Sequence, residues 1–201
     1  MEFIESIEAL EAHYGTPGAA AMRKVADRMT PLYRQWIMAS RFCVVSTVGP
    51  EGTDGSPRGD DGPVVTELDE KTLALPDWKG NDRIDTLRNI VRDPRLSLMF
   101  LVPGSNNAVR VNGTAKITAD PALLARFEFK GKQPRTVIVI SIEEIYSQCA
   151  RALMRARLWT AGDESAELPT IGQILAEMTS GEVGGADYDR SWPERAAKSL
   201  W

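Results

Sequence analysis

Apolar residues recur at helical spacing early in the chain: Ile4, Ile7 and Leu10, then Met22, Val25 and Met29. The spacing predicts helices over Ser6 to Tyr14 and within Pro17 to Ser40, parted by the breakers Gly15, Pro17 and Gly18. Thr30 followed by Pro31 fits an N-cap and first-turn pair for a helix through Trp36 to Ala39. The period then changes. Phe42 to Val48 is rich in β-branched residues and predicts a strand, closed by the turn residues Gly49-Pro50-Glu51-Gly52.

From there strands dominate. Val64 to Leu68 and Thr72 to Leu75 read as a pair joined by a tight turn at Asp69-Glu70. Asn81 to Val91 has Ile84, Leu87 and Val91 on one helical face and ends before Asp93-Pro94, because a residue preceding proline resists helical dihedrals. Leu96 to Val102, Val109 to Thr118 and Thr136 to Ile142 complete the strands. Asp120-Pro121 opens a short helix to Phe127. About six strands with few interposed helices favour an antiparallel barrel over a parallel sheet. The remainder holds a helix over Ile171 to Met178, a glycine-rich linker, and a tail from Asp187 with Trp192 and Trp201 that reads as a docking segment. The organisation expected is one domain over residues 1–201. Helices fill 1–40, the barrel core 41–160, and a helical extension 161–201.

Composition narrows the function classes. A net charge of −4 in 201 residues gives no bulk attraction to nucleic acid or an acidic membrane. No apolar run approaches the roughly 18 residues that span a bilayer. The acidic start, Met1 to Leu10, does not read as a signal peptide. Cys43 and Cys149, the only cysteines, are therefore expected as reduced thiols in a cytoplasmic protein, Cys43 buried in its apolar run. His13 is the only histidine, so a multi-histidine metal site is impossible and no metal is expected.

Three clusters carry candidate chemistry. Gly52 to Pro63 contains Arg58 among glycines and prolines that permit close backbone approach; it is either a phosphate-gripping loop or a mobile hairpin with a solvated arginine. Pro76-Asp77-Trp78-Lys79-Gly80-Asn81-Asp82-Arg83 follows a strand and opens a helix. Asn81 and Arg83 could converge on an anion there, or Arg83 could simply pair with Asp82 or Asp85. Gln148 to Trp159 places Arg151 and Arg155 on one helical face with Arg157 elsewhere. That run is either a binding surface or an exposed helix paired with acids such as Glu143 and Glu144. It lacks the aromatic interleaving of a nucleic-acid patch. Nearby arginines could lower the Cys149 pKa.

Taken in order, Phe42 to Thr47, Ser56-Pro57-Arg58-Gly59-Asp60, Leu75-Pro76-Asp77, Gly80-Asn81-Asp82-Arg83, Asn89-Ile90, Asp93-Pro94, Leu98 to Gly104, Arg110-Val111-Asn112-Gly113 and Cys149 to Trp159 resemble the pyridoxamine 5'-phosphate oxidase-related FMN-binding split-barrel family. The resemblance implies a mainly β fold with flanking helices (α+β), a six-stranded antiparallel split barrel. It implies a homodimer with FMN in grooves between subunits. By position, Arg58, Asn81 and Arg83 would meet the flavin phosphate, and Pro76, Asp77 and Trp78 would run along the ring. Arg155, Arg157 and Trp159 would come from the partner subunit. The function implied is an FMN-dependent oxidoreductase moving hydride or electrons to an unidentified small molecule. A non-catalytic flavin-binding or sensing module, or a deazaflavin-using reductase, is the alternative. Ala108 stands where better-known members carry glutamine, and the residues that bind pyridoxal phosphate in true oxidases have no counterparts.

Overall fold

The computed structural model describes residues 1–200. Three helices, α1 (Ile7–Glu11), α2 (Ala19–Arg23) and α3 (Pro31–Met38), precede the first strands, β1 (Phe42–Gly49) and β2 (Gly52–Gly59). Next come β3 (Thr66–Asp69), β4 (Thr72–Asp77), α4 (Asp85–Arg92), β5 (Arg95–Leu101) and β6 (Ala108–Thr118). After α5 (Pro121–Ala125), β7 (Thr136–Gln148) is followed by α6 (Arg151–Ala156), α7 (Ile171–Met178) and α8 (Gly185–Ser199).

The strands form one seven-stranded antiparallel sheet in the order β2-β1-β5-β6-β7-β4-β3. The mainly β character with flanking helices agrees with the sequence pattern. The count does not: the expectation was six strands, and the ladder has two free ends rather than a hydrogen-bonded closure. The added strand is β2, whose Gly-Thr-Asp-Gly-Ser-Pro-Arg-Gly sequence carries no hydrophobic alternation. It is a strand because its backbone pairs with β1 along the whole length, from Phe42–Gly59 to Gly49–Gly52.

The core lies against one face of the sheet. Cys43 and Val45 of β1, Leu98 and Phe100 of β5, Val109 and Val111 of β6, and Ile138 and Ile140 of β7 are all buried. Ile37 of α3 and Ile90 of α4 join the same cluster. Burying each such side chain contributes about 1.5–3 kcal/mol. β7 runs on past the expected end at Ile142 because the strand carries a bulge. Asn112 pairs with Glu144 and Gly113 with Ile142, so Glu143 is the extra residue and the alternation shifts there. A Cβ on Gly113 would lie 2.0 Å from the Ser141 carbonyl oxygen, so only glycine fits opposite the bulge.

The terminal regions depart from expectation in detail. Within Pro17 to Ser40 the helices are α2 and α3, and in the non-helical stretch between them Ala26 exchanges backbone hydrogen bonds with Ile145 at 2.9 and 2.7 Å. Thr30 does cap α3 as expected, its hydroxyl accepting from the Tyr33 N–H. At the other end α7 and α8 form a helical hairpin. Asp189 of α8 accepts from the Gly172 N–H and the Thr170 hydroxyl at the start of α7. Trp192 of α8 is 54% exposed, and Trp201 lies outside the described residues. No helix among the described residues is long and apolar enough to cross a membrane.

Candidate functional site

The edge strand β2 is tied by side chains to β4, the strand next to the opposite edge. Arg58 of β2 ion-pairs with Asp77 of β4 through its Nη1. Just beyond the same strands, the Trp78 indole N–H donates to Asp60 at 3.1 Å. β2 and β4 stand far apart in the ladder order, so the sheet must curl for these contacts to form. The result is a polar seam in an otherwise apolar sheet.

A cavity of about 520 Å³ opens at this seam. Ser56, Pro57 and Arg58 line it from β2, and Arg135 and Thr136 from the start of β7. Asp77, Trp78, Asn81, Asp82 and Arg83 line it from the end of β4 and the turn that follows, with Ile84 and Leu87 at its apolar side. Three of these side chains are arginines and two are aspartates, so the lining carries a net positive charge in a chain that is acidic overall.

The turn after β4 is shaped by its own polar groups. The sequence suggests a helix from Asn81, but α4 begins four residues later. Asn81 Oδ1 instead accepts the Arg83 N–H at 3.0 Å, and Asp82 takes φ 61°, a left-handed conformation that ends any helical run. Asn81 and Arg83 therefore sit in the approach to the helix, not in its first turn. Arg83 is 80% exposed and pairs with Asp85, one of the two partners foreseen for a purely structural arginine. That pairing with Asp85 raises its pKa.

Arg58 is different. Its side chain is only 21% exposed, and its Nε is buried with no hydrogen-bond partner; Thr136 Oγ1 is in the same condition. A buried donor left unmet costs about 1–3 kcal/mol, and both atoms belong to the lining of one cavity.

Among the residues singled out from the sequence, Arg58, Asp77, Trp78, Asn81 and Arg83 thus converge. Pro76 is buried in β4 and faces an adjoining cavity of about 220 Å³ behind Trp78. Arg155, Arg157 and Trp159 are not part of either cavity. Arg155 lies in the last turn of α6, Arg157 caps it at φ 49° with a side chain 71% exposed, and the Trp159 indole donates to the Ser105 carbonyl at 2.7 Å. Arg151 and Arg155 make no ion pair with Glu143 or Glu144 among the described residues; Glu144 accepts from Asn112 instead. Arg135 and Thr136 were missed by sequence reasoning, since nothing local marks them. Their place follows from the β4–β7 register, which sets Thr136 opposite Asp77.

Another cavity, of about 490 Å³, lies on β1, β2 and β5, with Asp54 and Arg95 at its rim. Their charges are engaged within the chain, Asp54 by the Thr86 hydroxyl and Arg95 by Asp93. Cys43 is buried, and burial pushes its thiol up to about 12. Exposed Cys149 is lowered, chiefly by the Arg151 backbone N–H.

A family model described as pyridoxamine 5'-phosphate oxidase matches residues 29–149, which include every residue lining the seam cavity. The chain belongs to the pyridoxamine 5'-phosphate oxidase family. Among solved structures, HupZ of Group A Streptococcus is 20% identical with a TM-score of 0.50, covering 59% of this chain and 93% of its own. General Stress Protein 26 from Bacillus anthracis is 18% identical, covering 57% and 88%, with a TM-score of 0.43. An FMN-binding protein from Syntrophomonas wolfei is 13% identical, covering 58% and 88%, with a TM-score of 0.42. No curated protein matches the chain. The likeness to HupZ speaks to the fold alone.

Proposed function

We propose that the chain is a cytoplasmic, homodimeric FMN-binding oxidoreductase whose flavin phosphate sits in the seam cavity against Arg58. The observation that carries this reading is the pair of buried, unpartnered polar atoms, Arg58 Nε and Thr136 Oγ1, in the wall of one net-positive cavity. Both are donors, and a phosphate monoester supplies several acceptor oxygens on a compact dianion. A guanidinium fork matches that geometry better than an ammonium does. The cavity volume is within the 300–1,000 Å³ range of small-molecule sites.

In this reading Arg58, Asn81 and Arg83 hold the phosphate end, and Pro76, Asp77 and Trp78 border the ring. Arg155, Arg157 and Trp159, which lie outside the cavity of their own chain, serve the partner's site in this reading. Family membership supports the cofactor, which when bound supplies hydride and electron transfer. The protein's own part is to orient it and exclude water. Phosphate affinity of several kcal/mol follows from charge-assisted bonds of about 1.5–3 kcal/mol each.

The test is reconstitution of the purified protein with FMN, read by its visible spectrum. A yellow stoichiometric complex is expected, and a folded, colourless protein for the Arg58→Ala, Arg83→Ala double variant. Retention of flavin by the double variant sinks the phosphate assignment. Anaerobic addition of NAD(P)H then addresses catalysis: turnover supports an oxidoreductase, and inert bound flavin supports a sensing module.

A further inference from the structure

Thr136 opens β7 on the wall of the seam cavity, and Arg135 immediately precedes it there. Thr136 is the register partner of Asp77 in the antiparallel β4–β7 pair, and directly opposed residues share a sheet face. Its hydroxyl and the Asp77 carboxylate are thus on the same side. Yet Asp77 is engaged by Arg58, and Thr136 Oγ1 is buried with nothing to bond. Arg135 is fixed by its backbone, its N–H donating to the Asp77 carbonyl at 3.1 Å. Its guanidinium pairs with Asp82, which is 64% exposed. An ion pair so open to water contributes little, about 0–1 kcal/mol, so Arg135 can exchange it for a ligand at small cost.

We infer that Thr136 and Arg135 are ligand-binding residues of this cavity, the hydroxyl donating to, and the guanidinium neutralising, the phosphate monoester that Arg58 holds. This rests on the reading of the cavity as a flavin-phosphate site. It gives that site donors from three places far apart in sequence: β2, the turn after β4, and the start of β7. It also gives the buried threonine hydroxyl the acceptor it lacks within the chain. A serine or threonine at this position serves that role, whereas valine fills the same space without it.

The experiment measures dissociation constants of the full-length protein for FMN and for riboflavin, which lacks the phosphate, by flavin fluorescence. Thr136→Val removes the hydroxyl at nearly constant volume and keeps the β-branched shape; Arg135→Ala removes an exposed side chain. Circular dichroism melting checks that each variant is folded, and Arg135→Lys serves as the conservative comparison. Each removal is expected to weaken FMN about tenfold while riboflavin stays within about twofold, with partial recovery in Arg135→Lys. If both variants bind FMN like the wild type while Arg58→Ala loses it, the inference falls and the flavin reading stands. If FMN and riboflavin weaken equally, the two residues do not act on the phosphate and the inference falls again. If wild-type protein binds FMN no better than riboflavin, or binds neither, the flavin-phosphate reading fails and takes the inference with it.

Discussion

The middle of the sheet and its seam are built on opposite principles. β5, β6 and β7 are joined by long backbone ladders, interrupted only at the Glu143 bulge, and bury Leu98, Phe100, Val111, Ile138 and Ile140 completely. At the seam the Arg58–Asp77 ion pair joins β2 to β4, and the Trp78–Asp60 hydrogen bond joins the residues just beyond them. Among the described residues, the buried side-chain atoms without partners are Arg58 Nε and Thr136 Oγ1, and both belong to the lining of the seam cavity. Backbone pairing exhausts the hydrogen-bonding capacity of a strand, whereas a side-chain seam leaves capacity over. A binding site can be placed in the second and not in the first.

The sharpest way to separate the two regions is to damage the first. Phe100→Ala deletes a fully buried ring beside Leu98 and should cost about 3–5 kcal/mol of stability, read by denaturant unfolding. Flavin affinity of the molecules that remain folded should be nearly unchanged. A large affinity loss in folded Phe100→Ala would show that the site depends on the core and not on the seam.

Arg58→Ala should do the reverse. FMN affinity should fall by about 10–100-fold, the equivalent of one charge-assisted interaction. Stability should fall as well, by about 1–3 kcal/mol, since Asp77, 14% exposed, loses its partner. Arg83→Ala, at a side chain 80% exposed and already paired with Asp85, should weaken FMN by less than Arg58→Ala does. Equal effects from the two arginines would remove the distinction between a buried and a rim contact.

The same contrast explains what could be read from the sequence. The strands at Phe42, Leu96, Val109 and Thr136 were legible because burial fills them with β-branched and apolar residues, in near-continuous runs at Leu96 and Thr136 and in alternation at Val109. β2 was not, because it is held to β1 by backbone bonds that leave no mark on side-chain chemistry. The start of α4 was misplaced because Asn81 also has a side chain able to close a turn on the Arg83 N–H. Arg58, Asp77, Trp78, Asn81 and Arg83 stood out as local clusters of glycine, proline, charge and aromatic residues. Arg135 and Thr136 did not, since only long-range pairing of β7 with β4 brings them to the cavity.

Where α4 packs on the sheet, Gly49 supplies a smaller test of the scaffold next to the seam. A Cβ there would lie 2.3 Å from Asn89 Oδ1, in a side chain whose amide donates to Thr47 Oγ1 at 3.2 Å. Gly49→Ala must push Asn89 away, at a cost of about 1–3 kcal/mol by thermal unfolding. Because α4 also supplies Leu87 to the cavity, a modest FMN weakening should accompany it. Unchanged stability would mean that the β1–β2 turn adjusts freely.

The two thiols carry the comparison to its smallest effect. Cys43, on the buried face of β1, stands opposite Arg58 in the β1–β2 register, so it reports on the core from beside the seam. Burial holds its pKa up to about 12, and Arg58 pulls weakly the other way. In the unfolded chain the same thiol ionises near 9.0. The raised folded value means that its contribution is intact below pH 9 and is lost as pH rises toward about 12. Across that window stability should decline by up to ~1.4 kcal/mol per pH unit, and Cys43→Ala or Cys43→Val should flatten the slope. Cys149, exposed and lowered by the Arg151 N–H, should react first with a thiol reagent at mildly alkaline pH while Cys43 stays silent until unfolding. Prompt labelling of Cys43 in folded protein would mean that the β1–β2 end of the sheet opens readily, so that the seam is a moving boundary and not a preformed wall.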